Sequence, residues 1–187
     1  MATTQSADYD ISKYTDRVSL WSNDPNAHLS GYFTLYYHVE SELTPTKPDT
    51  ILGDIYVRQA PNKICVLGLS PSHPFIVSSS SLNKDDLKKE CNVVLATELV
   101  GTKVTYDTTI AQIIVGQITY LIKARMQGQL LELNPRLKDT PELLWEHTMD
   151  TGYIAVIMSR VDDTKQQLKG YLTEEEYNTS LAEKKSE

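Results

Sequence analysis

The order of elements in the last third of this chain constrains its fold more than any other feature. Residues 123–133, Lys-Ala-Arg-Met-Gln-Gly-Gln-Leu-Leu-Glu-Leu, read as a strand broken by one glycine, Gly128, and stopped by Asn134-Pro135. Thr140-Pro141-Glu142 is a helix start, with threonine as N-cap and proline at the first helical position, where a missing N–H does no harm. Residues 152–158, Gly-Tyr-Ile-Ala-Val-Ile-Met, form an apolar strand. Thr173 and Glu176 then frame a capping box that opens a helix through Tyr177. Strand, short helix, strand and capped helix predict a mainly β (α+β) domain closed by a C-terminal helix.

Upstream, residues 32–39 are rich in β-formers and predict a strand, followed by a loop over 41–49 that carries Pro45 and Pro48. Residues 51–58 and 63–69 read as two strands joined by a turn at Ala60-Pro61-Asn62. The second is nearly all apolar and is expected to be buried on both faces. Residues 70–74 stop it, serines 78–81 read as a loop, and 85–90 as a short charged segment. Strands over 93–100 and 103–106 flank Gly101, and 110–114, ending in Val115-Gly116-Gln117, continue the pattern towards a hairpin tip. The expected organisation is a disordered start over 1–12, one domain over 13–180 and a disordered tail over 181–187.

At 187 residues and 40% hydrophobic content the chain has enough apolar surface for one core. Its formal net charge of −7 is the wrong sign for docking on phosphate backbones, so no direct nucleic-acid binding is expected. The basic pair Lys88-Lys89 does not rescue it, flanked as it is by Asp85, Asp86 and Glu90. No apolar run approaches the roughly 20 residues that span a bilayer, and the polar, acidic first ten residues are no secretory signal, so no membrane partner is expected. Cys65 and Cys91 make neither a disulfide framework nor a Cys-x-x-Cys pair, which fits a reducing, intracellular setting.

No catalytic constellation emerges. Cys65 with His73 could be drawn as nucleophile and base, but Cys65 lies inside an apolar strand, where a free cysteine packs as a small hydrophobe. Ser72 beside His73 proves little, because a triad is defined by geometry. His28, His38, His73 and His147 lack metal-ligand spacing, and Gly101-Thr102-Lys103 lacks the upstream glycine of a phosphate-binding loop. Glu174, Glu175 and Glu176 complement the dipole of a first helical turn. The expectation is a non-enzymatic protein with no metal and no cofactor.

Gly128, Glu132 and Asn134, then Pro141-Glu142-Leu143-Leu144, Gly152-Tyr153 and Thr173-Glu174-Glu175-Glu176-Tyr177, resemble the C-terminal half of the glycine-cleavage H-protein family. The resemblance implies a barrel-sandwich hybrid, the lipoyl-carrier fold. In that family a lysine on a hairpin tip shortly before the Gly128 equivalent carries the lipoyl group. Here the corresponding residues 114–120, Ile-Val-Gly-Gln-Ile-Thr-Tyr, hold no lysine, and Lys103 and Lys123 look embedded in flanking strands. The resemblance therefore implies the fold and argues against the carrier chemistry.

A second resemblance covers more of the chain. Residues 63–67, Ser72-His73-Pro74, Thr97-Glu98-Leu99, Arg125, Gly128, Leu130, Glu132 and Asn134, residues 152–156 and the helix through Tyr177 look like the Abitram (Simiate) family. Tyr14, Arg17 and Trp21 fit that family's N-terminal aromatic pattern, whereas residues 32–54 and the hairpin after Lys103 look longer than its norm. This resemblance implies an actin-binding transcription modulator that binds monomeric and filamentous actin, influences filament growth and occurs in nucleus and cytoplasm. It defines no partner-binding residue. Leu87-Lys88-Lys89 superficially matches a short element of actin-binding peptides but reads more simply as a solvated charged turn. The aromatics Tyr9, Tyr14, Trp21, Tyr32, Tyr36, Tyr37 and Tyr56 fit interface anchors and fit core packing better. The alternative is a non-lipoylated H-protein-like adaptor in a protein complex.

Overall fold

In the computed structural model the chain divides into Met1–Phe33 and the compact unit Thr34–Glu187. The structure describes residues 32–40, 49–159, 167–168 and 170–184. The strands are β1 (Thr34–His38), β2 (Thr50–Ile51), β3 (Ile55–Gln59), β4 (Ile64–Leu69), β5 (Cys91–Leu95) and β6 (Lys103–Val104). They continue with β7 (Thr109–Val115), β8 (Ile118–Lys123), β9 (Gly128–Leu133), β10 (Ala155–Ser159) and β11 (Leu172–Thr173). The helices are α1 (Pro74–Ser79), α2 (Lys84–Glu90), α3 (Arg136–Asp139), α4 (Leu143–Glu146) and α5 (Glu174–Lys184), none long and apolar enough to cross a membrane among the described residues.

Seven strands form one sheet in the order β11-β1-β3-β4-β10-β9-β6, and four form a second, β2-β8-β7-β5. All pairings are antiparallel except β2 with β8. Side chains alternate across each strand. The row Val57, Leu67 and Ala155 of the larger sheet meets Ile113, Tyr120 and Ile122 of the smaller one in a single apolar core. The next row of the larger sheet, Tyr37 beside Tyr56 beside Gly68, points the other way and is roofed by Tyr177 of α5. This is the mainly β, barrel-sandwich, H-protein-like fold with a C-terminal helix that the sequence implies.

Two expected strands are in fact places where the chain changes sheet. Residues 123–133 are not one strand: β8 ends at Lys123 in the smaller sheet, Arg125 turns through φ 53°, and β9 opens at Gly128 in the larger. Residues 51–58 divide likewise, β2 in the smaller sheet and β3 in the larger. Continuous β-forming composition hides such crossings, because both halves bury apolar residues in the same core. The strand expected over 93–100 stops at Leu95, where a short 3₁₀ turn at Thr97–Leu99 follows, and that expected over 103–106 stops at Val104.

The serine run is partly helical rather than a loop. Pro74 sits in the first turn of α1, and the His73 ring, not a usual capping residue, accepts the Phe75 N–H at 3.1 Å. The charged segment is helix α2, capped by Asn83. The helix expected from Pro141 begins at Leu143 with no side-chain cap, Thr140 contributing only its carbonyl. The capping box is as expected: Thr173 N–H donates to Glu176 at 2.8 Å, and Glu176 N–H to the Thr173 hydroxyl at 3.4 Å. The helix it opens runs to Lys184, so residues 181–184 are helical rather than a disordered tail. The start over 1–12 and the loop over 41–48 lie outside the described residues.

Asn134 ends β9 as its sequence signals. Fully buried, it donates to the Thr151 and Tyr153 carbonyls, each at 2.9 Å, and accepts the Arg136 N–H at 3.2 Å. Gly152 completes this corner: a Cβ there would stand 2.1 Å from the Leu143 carbonyl oxygen, so any side chain would push α4 away.

Candidate functional site

The first place to look is the tip of the β7–β8 hairpin, because the resemblance to the glycine-cleavage H-protein family implies a lysine at a hairpin tip. Val115 pairs with Ile118, leaving Gly116-Gln117 as a two-residue turn. Gly116 has φ 58°, which an L side chain resists, and its place as first central residue is that of a type II′ hairpin turn. Gly116 and Gln117 are exposed, as is Ile118. The tip offers a carboxamide and no amine. Lys103 begins β6 on the edge of the other sheet, and Lys123 lies at the far end of β8, paired with Asp107 at 3.0 Å.

The second place is a polar knot at the sheet crossings. Glu40 follows β1 and links two of them: its N–H donates to Asp54 at 2.8 Å, and its carboxylate pairs with Arg125. Arg125, 7% exposed, also reaches Asp107 at 3.4 Å and lies over the Tyr106 ring, while its carbonyl accepts the Tyr171 hydroxyl. His38 bonds the Tyr106 hydroxyl. Burial first, and then the Arg125 guanidinium, lowers the His38 pKa to about 4, so it stays neutral in this knot. Lys123 holds the Asp107 carboxyl below its ordinary range.

On the Asp54 side, the Ser72 hydroxyl donates to Asp54 at 2.7 Å and bonds the Tyr177 hydroxyl, which donates to Ser70 at 3.0 Å. Tyr177 stacks on Tyr37 with ring centroids 3.9 Å apart, and Tyr56 donates to the Thr148 carbonyl at 3.0 Å. Desolvation raises the Tyr37 hydroxyl to about 12. These groups are committed to one another, and the cluster clamps α5 to the larger sheet.

The residues weighed for catalysis do not come together. His73 Nδ1 accepts the Phe75 amide, so the proton resides on Nε2, which makes no hydrogen bond to a described residue. Burial lowers its pKa to about 3. Ser72 gives its proton to Asp54, not to His73. Cys65 is fully buried and burial lifts its thiol to about 11, the opposite of nucleophile activation; Cys91 is raised likewise to about 11. Among the described residues no group of three His, Cys, Asp or Glu side chains is placed to hold a metal.

Leu87 of the Leu-Lys-Lys stretch is 3% exposed in the core, Lys88 pairs with Glu142 just before α4, and Lys84 pairs with Glu146 in α4. The stretch is a helix docked on its neighbour rather than a turn or a presented motif. Tyr37 and Tyr56 are core residues and Tyr36 packs against the core. Tyr9, Tyr14, Trp21 and His28 lie outside the described residues. Sequence reasoning passed over Glu40, Asp54 and Asp107; the legible signal was a lone acid between two apolar runs, as at Asp54.

The two sheets and the β7–β8 hairpin define a mainly β module of the barrel-sandwich type. The family model described as glycine cleavage H-protein matches residues 79–184, and the chain belongs to that family. Among solved structures it is similar to a glycine cleavage system H protein from Mycobacterium marinum, with a TM-score of 0.50 and 16% identity, covering 68% of this chain and 91% of that one. Among characterised sequences it is similar to proteins named Abitram. That of Dictyostelium discoideum is 26% identical over 80% of this chain and 85% of its own. That of Danio rerio is 27% identical over 83% and 89%, and that of Homo sapiens 25% over 82% and 86%. The relatives carry no enzyme name, and the matched family is a carrier domain.

Proposed function

We propose that the protein is a non-enzymatic actin-binding module that influences actin polymerisation, with a transcription-related role in the nucleus as well as a cytoplasmic one. The observation that carries the non-carrier half of this reading is Gln117 at the hairpin tip, where an amide-linked cofactor would need an amine. The actin half rests on similarity to the Abitram proteins. Actin is itself acidic and this chain carries −7, so the contact has to be made through a locally apolar or basic surface. Val77 and Leu82, 57% and 50% exposed around the α1–α2 connection, meet that requirement.

Co-sedimentation of the full chain with actin filaments at two salt concentrations tests it. Saturable pelleting that survives moderate salt, and is weakened by Val77→Asp with Leu82→Asp, is the expected result. A folded protein that stays in the supernatant would sink direct filament binding and leave the second reading, a non-lipoylated H-protein-like adaptor. Intact mass from cells checks the carrier chemistry separately: the expected mass is that of the unacylated chain.

A further inference from the structure

A recess of about 220 Å³ opens beside the Val94–Gln112 pair of β5 and β7. Ala96 and Ala111 are among the residues that border it, beside the β7–β8 register shift between Thr109 and Ala111. The volume lies below the ~300–1,000 Å³ of small-molecule pockets and suits one long side chain. Val94 and Ala96 form its apolar floor, and Val94 is 44% exposed in mid-strand. Glu98, Thr109 and Gln112 stand around it, and none of their side chains bonds another described residue. Lys123, across from Thr109, is already balanced by Asp107.

We propose that this recess binds a lysine side chain presented by a partner protein. The aliphatic stem would lie on the apolar floor. A carboxylate, a hydroxyl and an amide oxygen would receive the three N–H donors of the ammonium, a match that the flat fork of arginine does not make. The negative charge of the recess and of the whole chain favours the same ligand. The inference uses no part of the actin reading.

The test is an amide chemical-shift titration of the full chain with an end-blocked Gly-Gly-Lys-Gly-Gly peptide and its acetyl-lysine counterpart. Saturable shifts confined to residues 94–98 and 109–112, with the acetylated peptide at least about tenfold weaker, are expected. Glu98→Gln should weaken the lysine peptide by about tenfold, and Val94→Arg, which fills the recess with its own side chain, should abolish the shifts. Equal response to both peptides, no response at these residues, or indifference to Glu98→Gln would each overturn the proposal. Both substituted positions are exposed, so the variants keep the fold.

Discussion

The hairpin tip and the polar knot are opposites. The tip is a bare two-residue turn, exposed and bonded only through its backbone. The knot joins Glu40, Asp54, Arg125, Asp107, Ser72 and Tyr177 across the chain's sheet crossings, and almost every polar atom in it has a partner. At the tip the sequence carries a carboxamide and no amine, and the turn makes no side-chain bond to a described residue. What is built at the crossings is structure: a sandwich whose chain changes sheets needs polar side chains to satisfy the backbone at each crossing.

The comparison can be broken most forcefully with acid. His38 and His73 are held neutral by burial, with pKa values lowered to about 4 and about 3. The unfolded chain takes up those protons near the ordinary value of about 6.5 and the folded chain does not. Their contribution is therefore complete above that value and is lost as pH falls through the window towards the folded values. Each imidazole costs about 1.4 kcal/mol of stability per pH unit. Urea midpoints between pH 6.5 and 5, where the carboxylates remain ionised, should fall steadily, and His38→Gln should lessen the slope. A flat profile would mean that neither ring is buried neutral.

Next in size is the clamp on α5. Tyr177→Ala removes a fully buried ring stacked on Tyr37 and should cost about 3–5 kcal/mol, read as a lower thermal midpoint and loss of α5 protection in hydrogen exchange. Tyr177→Phe keeps the ring and strips the hydroxyl from Ser70 and Ser72, for about 1–3 kcal/mol. If both variants cost the same, the hydroxyl network and not the stacking holds the helix.

The division between tip and knot is also a division in what a sequence shows. Gly116 in its turn, Asn134-Pro135 ending β9 and the Thr173–Glu176 capping box are local devices, each spelled by neighbouring residues, and each stands where the sequence places it. The knot is assembled from residues 85 positions apart, as in Glu40 with Arg125, and no local pattern announces such a pair. The same reason hid the sheet crossings at 52–54 and 124–127. A change of sheet preserves the apolar composition on both sides and shows itself only through a lone buried charge, Asp54 or Arg125. Helix α1 was hidden differently: its cap is a histidine, and its serines are poor helix formers held there by the packing of Phe75.

The smallest expected effect is at the tip, and it sharpens the contrast most. Gln117 is exposed, lies outside the positive-φ region and makes no side-chain hydrogen bond to a described residue, so Gln117→Lys should change stability by no more than about 0.5 kcal/mol. The variant places a solvent-exposed amine on the type II′ turn of an H-protein-like hairpin. Co-expressed with a lipoate-attaching enzyme, it should gain a lipoyl adduct in intact mass while the parent chain does not. Acylation would mean that a single side chain separates this tip from a carrier. A stable variant that remains unmodified would instead place the difference from a carrier in the surrounding surface, Ile118 first.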